Sequence, residues 1–243
     1  MKVLKFTLSG KQAMFKKPEV NSYYYFTYGQ IHKPAILGIL GAILGYSGYN
    51  SMKKGDVFPE YYDKLKELNI SIRPNSPKGY FNKKITSFNN SVGYASQEQG
   101  GNLIVKEQWL EEPSWDIYLL EDCAEAEKAA DMLKNHKCVY IPYLGKNDHI
   151  ADIKAIQETE AAEAKDVTKL DCLFLKERFE PDVEDWDTPD PFKYEESLPF
   201  ALSEETNMYE LKSFIFTNTF LKAQQEEEKD KVFSVEEKNI VFY

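Results

Sequence analysis

The sequence predicts an α+β fold: a ferredoxin-like βαββαβ domain over residues 1–150 with a long inserted β-hairpin, then a smaller β-rich part over 151–243. Three observations carry that prediction. Strand-like and helix-like patterns follow one another as strand, helix, strand, strand, helix, strand. One long alternating segment interrupts that order between its second and third strands. The charge also changes sign along the chain: residues 1–110 hold 15 Lys/Arg against 7 Asp/Glu, and residues 111–243 hold 15 against 33. A basic half suits a phosphate backbone, and an acidic half suits a protein neighbour or solvent.

"KVLKFTL" (Lys2–Leu8) alternates loosely in Val3, Phe6 and Leu8 and reads as the first strand. A basic loop, "SGKQAMFKK", follows. "SYYYFTY" (Ser22–Tyr28) is aromatic and reads as an edge strand or a stacking surface. The first helix starts at Pro34, a favoured first-turn residue, and its apolar residues at 36, 39, 40, 43 and 44 have helical spacing. "PEYYDKLKEL" (Pro59–Leu68) is a second, polar helix, and "NISIRP" (Asn69–Pro74) a short strand.

From residue 83 to 111 the chain reads as the inserted hairpin, with the polar, glycine-rich "SVGYASQEQGGN" at its tip. "SWDIYLL" (Ser114–Leu120) is the next strand. "DCAEAEKAADMLKNH" (Asp122–His136) is an amphipathic helix capped by Asp122, and "KCVYIPYLG" (Lys137–Gly145) the closing strand, running into a turn. In the acidic part, "KLDCLFL" and "ELKSFIFTNTF" read as strands. A proline-broken loop with seven acids, Glu177–Asp190, lies between them.

Composition narrows the function. A hydrophobic content of 42% with 14% aromatics excludes a wholly disordered chain. Cys123, Cys138 and Cys172 form no C-x-x-C pair, so neither a zinc site nor a disulfide framework is expected, and a reduced cytoplasm is the default. The opening residues hold no apolar run of signal-peptide length. The run from Pro34 to Leu44 is 11 residues, against about 20 for a membrane span, so it reads as a soluble core helix with no membrane partner.

The first helix is nevertheless unusual. Gly38, Gly41 and Gly45 fall within about 60° on one face, and each costs about 0.5–1 kcal/mol relative to alanine. Such a face serves tight packing on the sheet, or the close approach of another backbone. The helix start offers free N–H groups and a dipole that attract anions, with His32 and Lys33 beside them; Lys33 is a poor cap, which leaves room for an external anion. The hairpin tip is the other oddity. A turn needs two to five residues, and this one spends twelve, presenting Tyr94, Gln97, Gln99 and Asn102, with Lys83 and Lys84 at its base. It reads either as a plain surface loop or as an arm that reaches between stacked bases or subunits.

No phosphate-loop, nucleophile-elbow or zinc-protease motif is present. Asp185, Asp187 and Asp190 are weighed as a Mg²⁺ cluster against a solvated acidic loop; the loop reading is preferred, and no metal or other cofactor is expected. His136 ends a helix, where the dipole favours a cation. His149 follows a turn, where it is either incidental or able to act on RNA.

"FTLSGKQAMFKKP", "TYGQIHKPAILGILGAILG", the arm ending in "IVKEQWLEEPSWDIYLL", and "YIPYLGKNDHIADI" occur in this order. Together they resemble the fifth CRISPR-associated protein family, a RAMP-superfamily subunit of the type I Cascade complex, most like its type I-B members. The resemblance covers roughly residues 1–153. It implies an RNA-recognition-like domain that binds and caps the 5′ handle of the CRISPR RNA, with the hairpin as a thumb across the RNA. Implied partners are the CRISPR RNA and the Cascade backbone and large subunits, with target DNA met only through the complex.

Carried over by position, the handle side holds Gly10, Lys11, Phe15, Lys16 and Lys17. The helix start holds Tyr28, Gly29, His32 and Lys33. The thumb holds Lys83, Lys84, Asn90, Tyr94, Gln97 and Asn102, and the turn Tyr143, Gly145, Lys146 and Asn147. No catalytic residue is assigned. The competing reading is the metal-independent endoribonuclease of type I-C members, with His32–Lys33, His136–Lys137 or Lys146–His149 as the reactive set. A stand-alone RNA-recognition domain leaves the acidic half unexplained.

Overall fold

The computed structural model describes residues 1–19, 23–182, 184, 187–222 and 231–243. In chain order the basic half holds β1 (Lys2–Ser9), β2 (Gln12–Ala13), β3 (Tyr24–Tyr25), α1 (Lys33–Leu44), α2 (Glu60–Leu65), β4 (Ile70–Pro74), β5 (Lys83–Asn89) and β6 (Ile104–Glu111). Then come β7 (Ser114–Leu120), α3 (Ala124–Lys134), β8 (Asp152–Glu160), β9 (Ala162–Glu163), β10 (Phe174–Leu175), β11 (Lys193–Leu202), β12 (Tyr209–Thr217), β13 (Phe233–Val235) and β14 (Lys238–Ile240). The fold is mixed α/β and rich in sheet.

Its centre is a four-stranded sheet in the order β4-β7-β1-β8, antiparallel throughout. Alternation along β1 sends Leu4, Phe6 and Leu8 to one face, where they meet Trp115, Ile117 and Leu119 of β7 and the apolar face of α1. Ile36, Leu37, Leu40 and Ile43 of α1 are fully buried there. Each such side chain contributes about 1.5–3 kcal/mol by leaving water.

The same core takes in Leu198, Leu202, Phe214 and Phe216 from the antiparallel sheet β10-β12-β11, so the acidic half packs directly on α1. On the other face Val3, Tyr118 and Leu120 pack against Cys172, Phe174, Ile215 and the small sheet β14-β13-β9. The last residue, Tyr243, exchanges both backbone hydrogen bonds with Ile70 at the β4 edge.

Several expectations are corrected. The fourth strand of the central sheet is β8, past residue 150. Lys137–Gly145, read from sequence as that strand, contains no strand. Val139, Tyr140 and Ile141 are exposed, and the Val139 and Tyr140 N–H groups donate to the Ile43 and Ala42 carbonyls at the end of α1 rather than to a neighbouring strand. The N-cap of α3 is Cys123, because the Asp122 carboxylate instead accepts from the Asn69 side-chain amide at 2.7 Å. Strand β11, ten residues long, was not recognised at all. Its "KYEESLPFAL" mixes charge with a proline, which obscures the alternation.

Of the two readings of the glycine face of α1, the close approach of another segment is the one met at Gly41. A Cβ on Gly41 would sit 2.6 Å from the Cβ of Tyr61, so it is α2, not the sheet, that comes close. Gly45 ends the helix at φ +80°, the left-handed cap that glycine accepts without strain.

Candidate nucleic-acid interface

The inserted hairpin forms as expected: β5 pairs antiparallel with β6 from Lys83↔Leu110 to Asn89↔Ile104. Its tip is closed by a short 3-10 turn at Ala95–Gln97 and tied by Asn90 N–H to the Leu103 carbonyl at 2.8 Å. Tyr94 is 78% exposed at that tip, with Asn90, Gln97 and Asn102 also open to solvent. The base of the hairpin is wider than two strands. On the far side of β6, β2 pairs antiparallel at Leu110–Glu111 and β3 pairs parallel at Lys106–Glu107.

The residues singled out in the sequence separate into four groups. The first is a cation cluster beside the hairpin. Lys17 Nζ lies 2.9 Å from Glu196 Oε1, and the Gly29 N–H donates to Glu196 Oε2 at 2.8 Å. The Tyr194 hydroxyl also donates to that oxygen, and Lys83 lies close enough for its ammonium to be 3.6 Å from a Cβ placed on Gly29. Burial holds the Lys83 pKa below the usual lysine range, Glu196 opposing the shift and Lys17 adding to it. Sequence reasoning missed Glu196, whose strand had given no signal.

The second group centres on Trp109. Its indole N–H donates to Glu107 Oε2 at 2.8 Å, and Lys146 Nζ pairs with the same oxygen at 2.7 Å. The Lys146 and Lys84 ammoniums lie 5.5 and 5.9 Å from the indole ring. His149 stacks edge-on against Trp109 at 4.7 Å, buried, and burial lowers its pKa.

The third group joins two loops. Gly145, at φ +83°, lies so near the chain at Met14 that an added Cβ would fall 1.9 Å from the Met14 carbonyl oxygen. Met14 N–H donates to the Leu144 carbonyl at 3.0 Å, and Leu144 also crowds Gly10. Tyr143, Asn147 and Lys11 stay exposed around this junction.

The fourth group is buried. Phe15, Tyr28 and Tyr209 surround the His32 ring at centroid distances of 5.8, 5.5 and 5.3 Å. His32 is 3% exposed and is itself the N-cap of α1, its Nδ1 accepting from the Ala35 N–H at 3.3 Å. Burial pushes its pKa down to about 3 and that of Lys33 to about 8. The helix start is therefore closed, and an internal imidazole fills the role expected of an external anion.

Of the acidic cluster weighed for Mg²⁺, Asp185 lies outside the described residues, while Asp190 pairs with Lys78 at 2.9 Å. Among the described residues no group of three His, Cys, Asp or Glu side chains is placed to hold a metal ion. Among them also, no helix is long and apolar enough to cross a membrane.

The profile of the CRISPR-associated protein (Cas_Cas5) family matches residues 3–212. The chain belongs to that family. Among solved structures, a chain of a CRISPR RNA-guided surveillance complex is similar in fold, with a TM-score of 0.56 at 12% identity, over 92% of this chain and 94% of that one. A CRISPR protein from Archaeoglobus fulgidus aligns with a TM-score of 0.49 at 10% identity, over 99% of each chain. No curated protein matches the sequence. The family gives the chain a CRISPR-associated role in antiviral defence.

Proposed function

We propose that this chain is a Cascade subunit that binds and caps the 5′ handle of the CRISPR RNA and helps assemble the RNA-guided complex. The observation that carries the proposal is the convergence of lysines and aromatics at the base of a protruding hairpin, in a chain of this family. Lys16, Lys17, Lys83, Lys84, Lys106 and Lys146 all lie on β5, β6 or the loops packed against them. Such a surface is suited to the phosphates of a single strand.

The central sheet, with α1 and α2 between its first two strands in sequence and α3 before its last, is read here as a ferredoxin-like, RNA-recognition-like unit. The hairpin is read as the thumb. The resemblance to type I-B members rests on the quoted segments of the first 153 residues.

The endoribonuclease reading finds less support. His32 is enclosed and occupied as a helix cap, and Lys146 is held by Glu107. The test is co-expression with the backbone and large subunits and CRISPR RNA, followed by the mass of the assembled complex. Replacing Val92–Asn102 by a two-residue turn removes exposed tip residues, so the fold is expected to survive. Handle binding is expected to weaken modestly, and full-size complexes to be lost. Full-size, target-binding complexes from the shortened chain would refute the thumb.

A further inference from the structure

The stretch Tyr23–Phe26 belongs to none of the four groups above, yet it lies beside the thumb with Tyr23 and Tyr24 open to solvent. β3 is an edge strand, laid along β6 on the side opposite β5. Tyr24 and Phe26, two residues apart and so on one face, hold their rings 24° from parallel at a centroid distance of 6.1 Å. Lys106, on the paired strand, places its ammonium 5.0 Å from the Tyr24 ring and donates to its hydroxyl at 3.4 Å. Lys16 lies 4.0 Å from the ring of Tyr25. Tyr23 is 90% exposed at φ +63°, a left-handed conformation uncommon for a bulky side chain.

Folding accounts for only part of this arrangement. Tyr25 and Phe26 are partly buried, but Tyr24 keeps 37% of its surface in water and Tyr23 90%, the latter at a positive φ that costs energy without a packing return. Parallel aromatic faces interleaved with ammonium groups match a partner that carries flat rings joined by anions. A single nucleic-acid strand is such a partner: any base offers a π-face, while its phosphates meet the lysines. A protein surface would gain from the rings but would have to supply carboxylates at the same spacing.

We propose that Tyr24 and Phe26, with Lys106 beside them, form a sequence-tolerant stacking platform for unpaired RNA bases at the outer edge of the thumb. The proposal rests on the RNA-binding reading above and adds to it where the bases lie. The platform sets no sequence preference of its own, because stacking uses the π-face that every base has and the Tyr24 hydroxyl is already engaged by Lys106. It extends the handle-binding surface from the Lys16–Lys17 loop onto β6.

The experiment uses the full chain and a twelve-nucleotide unstructured RNA carrying one 2-aminopurine, titrated at 0.1 M salt. Tyr24→Leu is expected to weaken binding about tenfold, as loss of one base–ring stack does, while Tyr24→Phe stays near wild type. The 2-aminopurine fluorescence should be quenched by the wild-type chain and by Tyr24→Phe, and recover with Tyr24→Leu. Urea titration of each variant confirms an unchanged fold. Wild-type affinity and quenching in a folded Tyr24→Leu chain would overturn the platform while leaving RNA binding intact. If Tyr24→Leu instead keeps RNA affinity but no longer co-purifies with the partner subunits, the patch is a protein contact and the proposal fails. A wild-type chain that binds no RNA at all overturns the handle-binding reading itself.

Discussion

The start of α1 and the base of the thumb are built from the same materials, aromatic rings and lysines, and the chain puts them to opposite uses. At the helix start the rings of Phe15, Tyr28 and Tyr209 close over His32, which becomes a neutral cap. At the thumb base Tyr24 and Phe26 stay on an edge, and Lys16 and Lys106 sit over rings rather than inside a core. What separates the two is cover. The acidic half lays β11 and β12 over the helix start, with Tyr209 and Phe200 contributing the lid over His32 and Lys33, and nothing comparable lies over β3 among the described residues.

The largest expected effect comes from breaking the closed site. His32→Ala removes both the helix cap and a ring packed among three others, and should lower stability by about 3 kcal/mol. Tyr24→Ala, on the open site, should stay within about 0.5 kcal/mol of wild type. Urea midpoints for the two variants measure the contrast directly.

The closed site also predicts a pH dependence. Burial lowers the folded pKa of His32 to about 3, below the value of an unfolded histidine. Protons then bind the unfolded chain first as the pH falls. The stability from neutral His32 is complete above about pH 6.5 and is lost progressively as pH drops from there towards 3. His32→Asn keeps a good cap without a titrating ring. Its stability should fall less steeply than wild type across that window, carboxylate contributions being common to both. Parallel slopes for the two chains would mean His32 is already accessible to protons.

Much of this fold was legible in the sequence. The hairpin and strands β1, β4 and β7 followed from alternation and turn chemistry. The closing strand was misplaced, because "KCVYIPYLG" is as apolar as a strand while "DIKAIQETE" has the polar look of a surface segment. That polarity suits β8, which is an edge strand with one face near solvent. Of the candidate site, Lys17, Gly29 and Lys83 do meet, but the reason they meet, Glu196, lies 167 residues from Gly29 along the chain. Long-range carboxylates of this kind leave no local pattern. The expectation of an open helix start failed on the same ground: cover by a distant sheet cannot be read from a helix's own residues.

Glu196 supplies the next sharpening of the comparison. It holds Lys17 and the Gly29 amide in the way an incoming phosphate would. Glu196→Gln keeps an acceptor for Gly29 and removes the charge. RNA affinity should rise about fivefold, equivalent to roughly 1 kcal/mol of relieved repulsion between carboxylate and phosphate. Unchanged or weaker binding, in a chain of unchanged stability, would assign Glu196 a purely structural part.

The smallest effect distinguishes two neighbouring lysines. Lys16 lies over Tyr25, and among the described residues no carboxylate pairs with it, whereas Lys17 is paired with Glu196. A lysine that meets an RNA phosphate releases a counterion, so its loss reduces the slope of log K against log salt by about 0.7 for a single strand. Lys16→Ala should show that reduction. Lys17→Ala should show less, because its charge is already countered within the chain, and Lys33→Ala none, since that ammonium is half-buried beside Phe200. In the Glu196→Gln background the Lys17 effect should grow to match that of Lys16. Salt titrations of the three lysine variants, and of the Lys16 and Lys17 variants again with Glu196→Gln, each beside its parent chain and against one handle RNA, decide it: equal slopes for the Lys16 and Lys17 variants in both backgrounds would mean that Glu196 does not compete for the phosphate position.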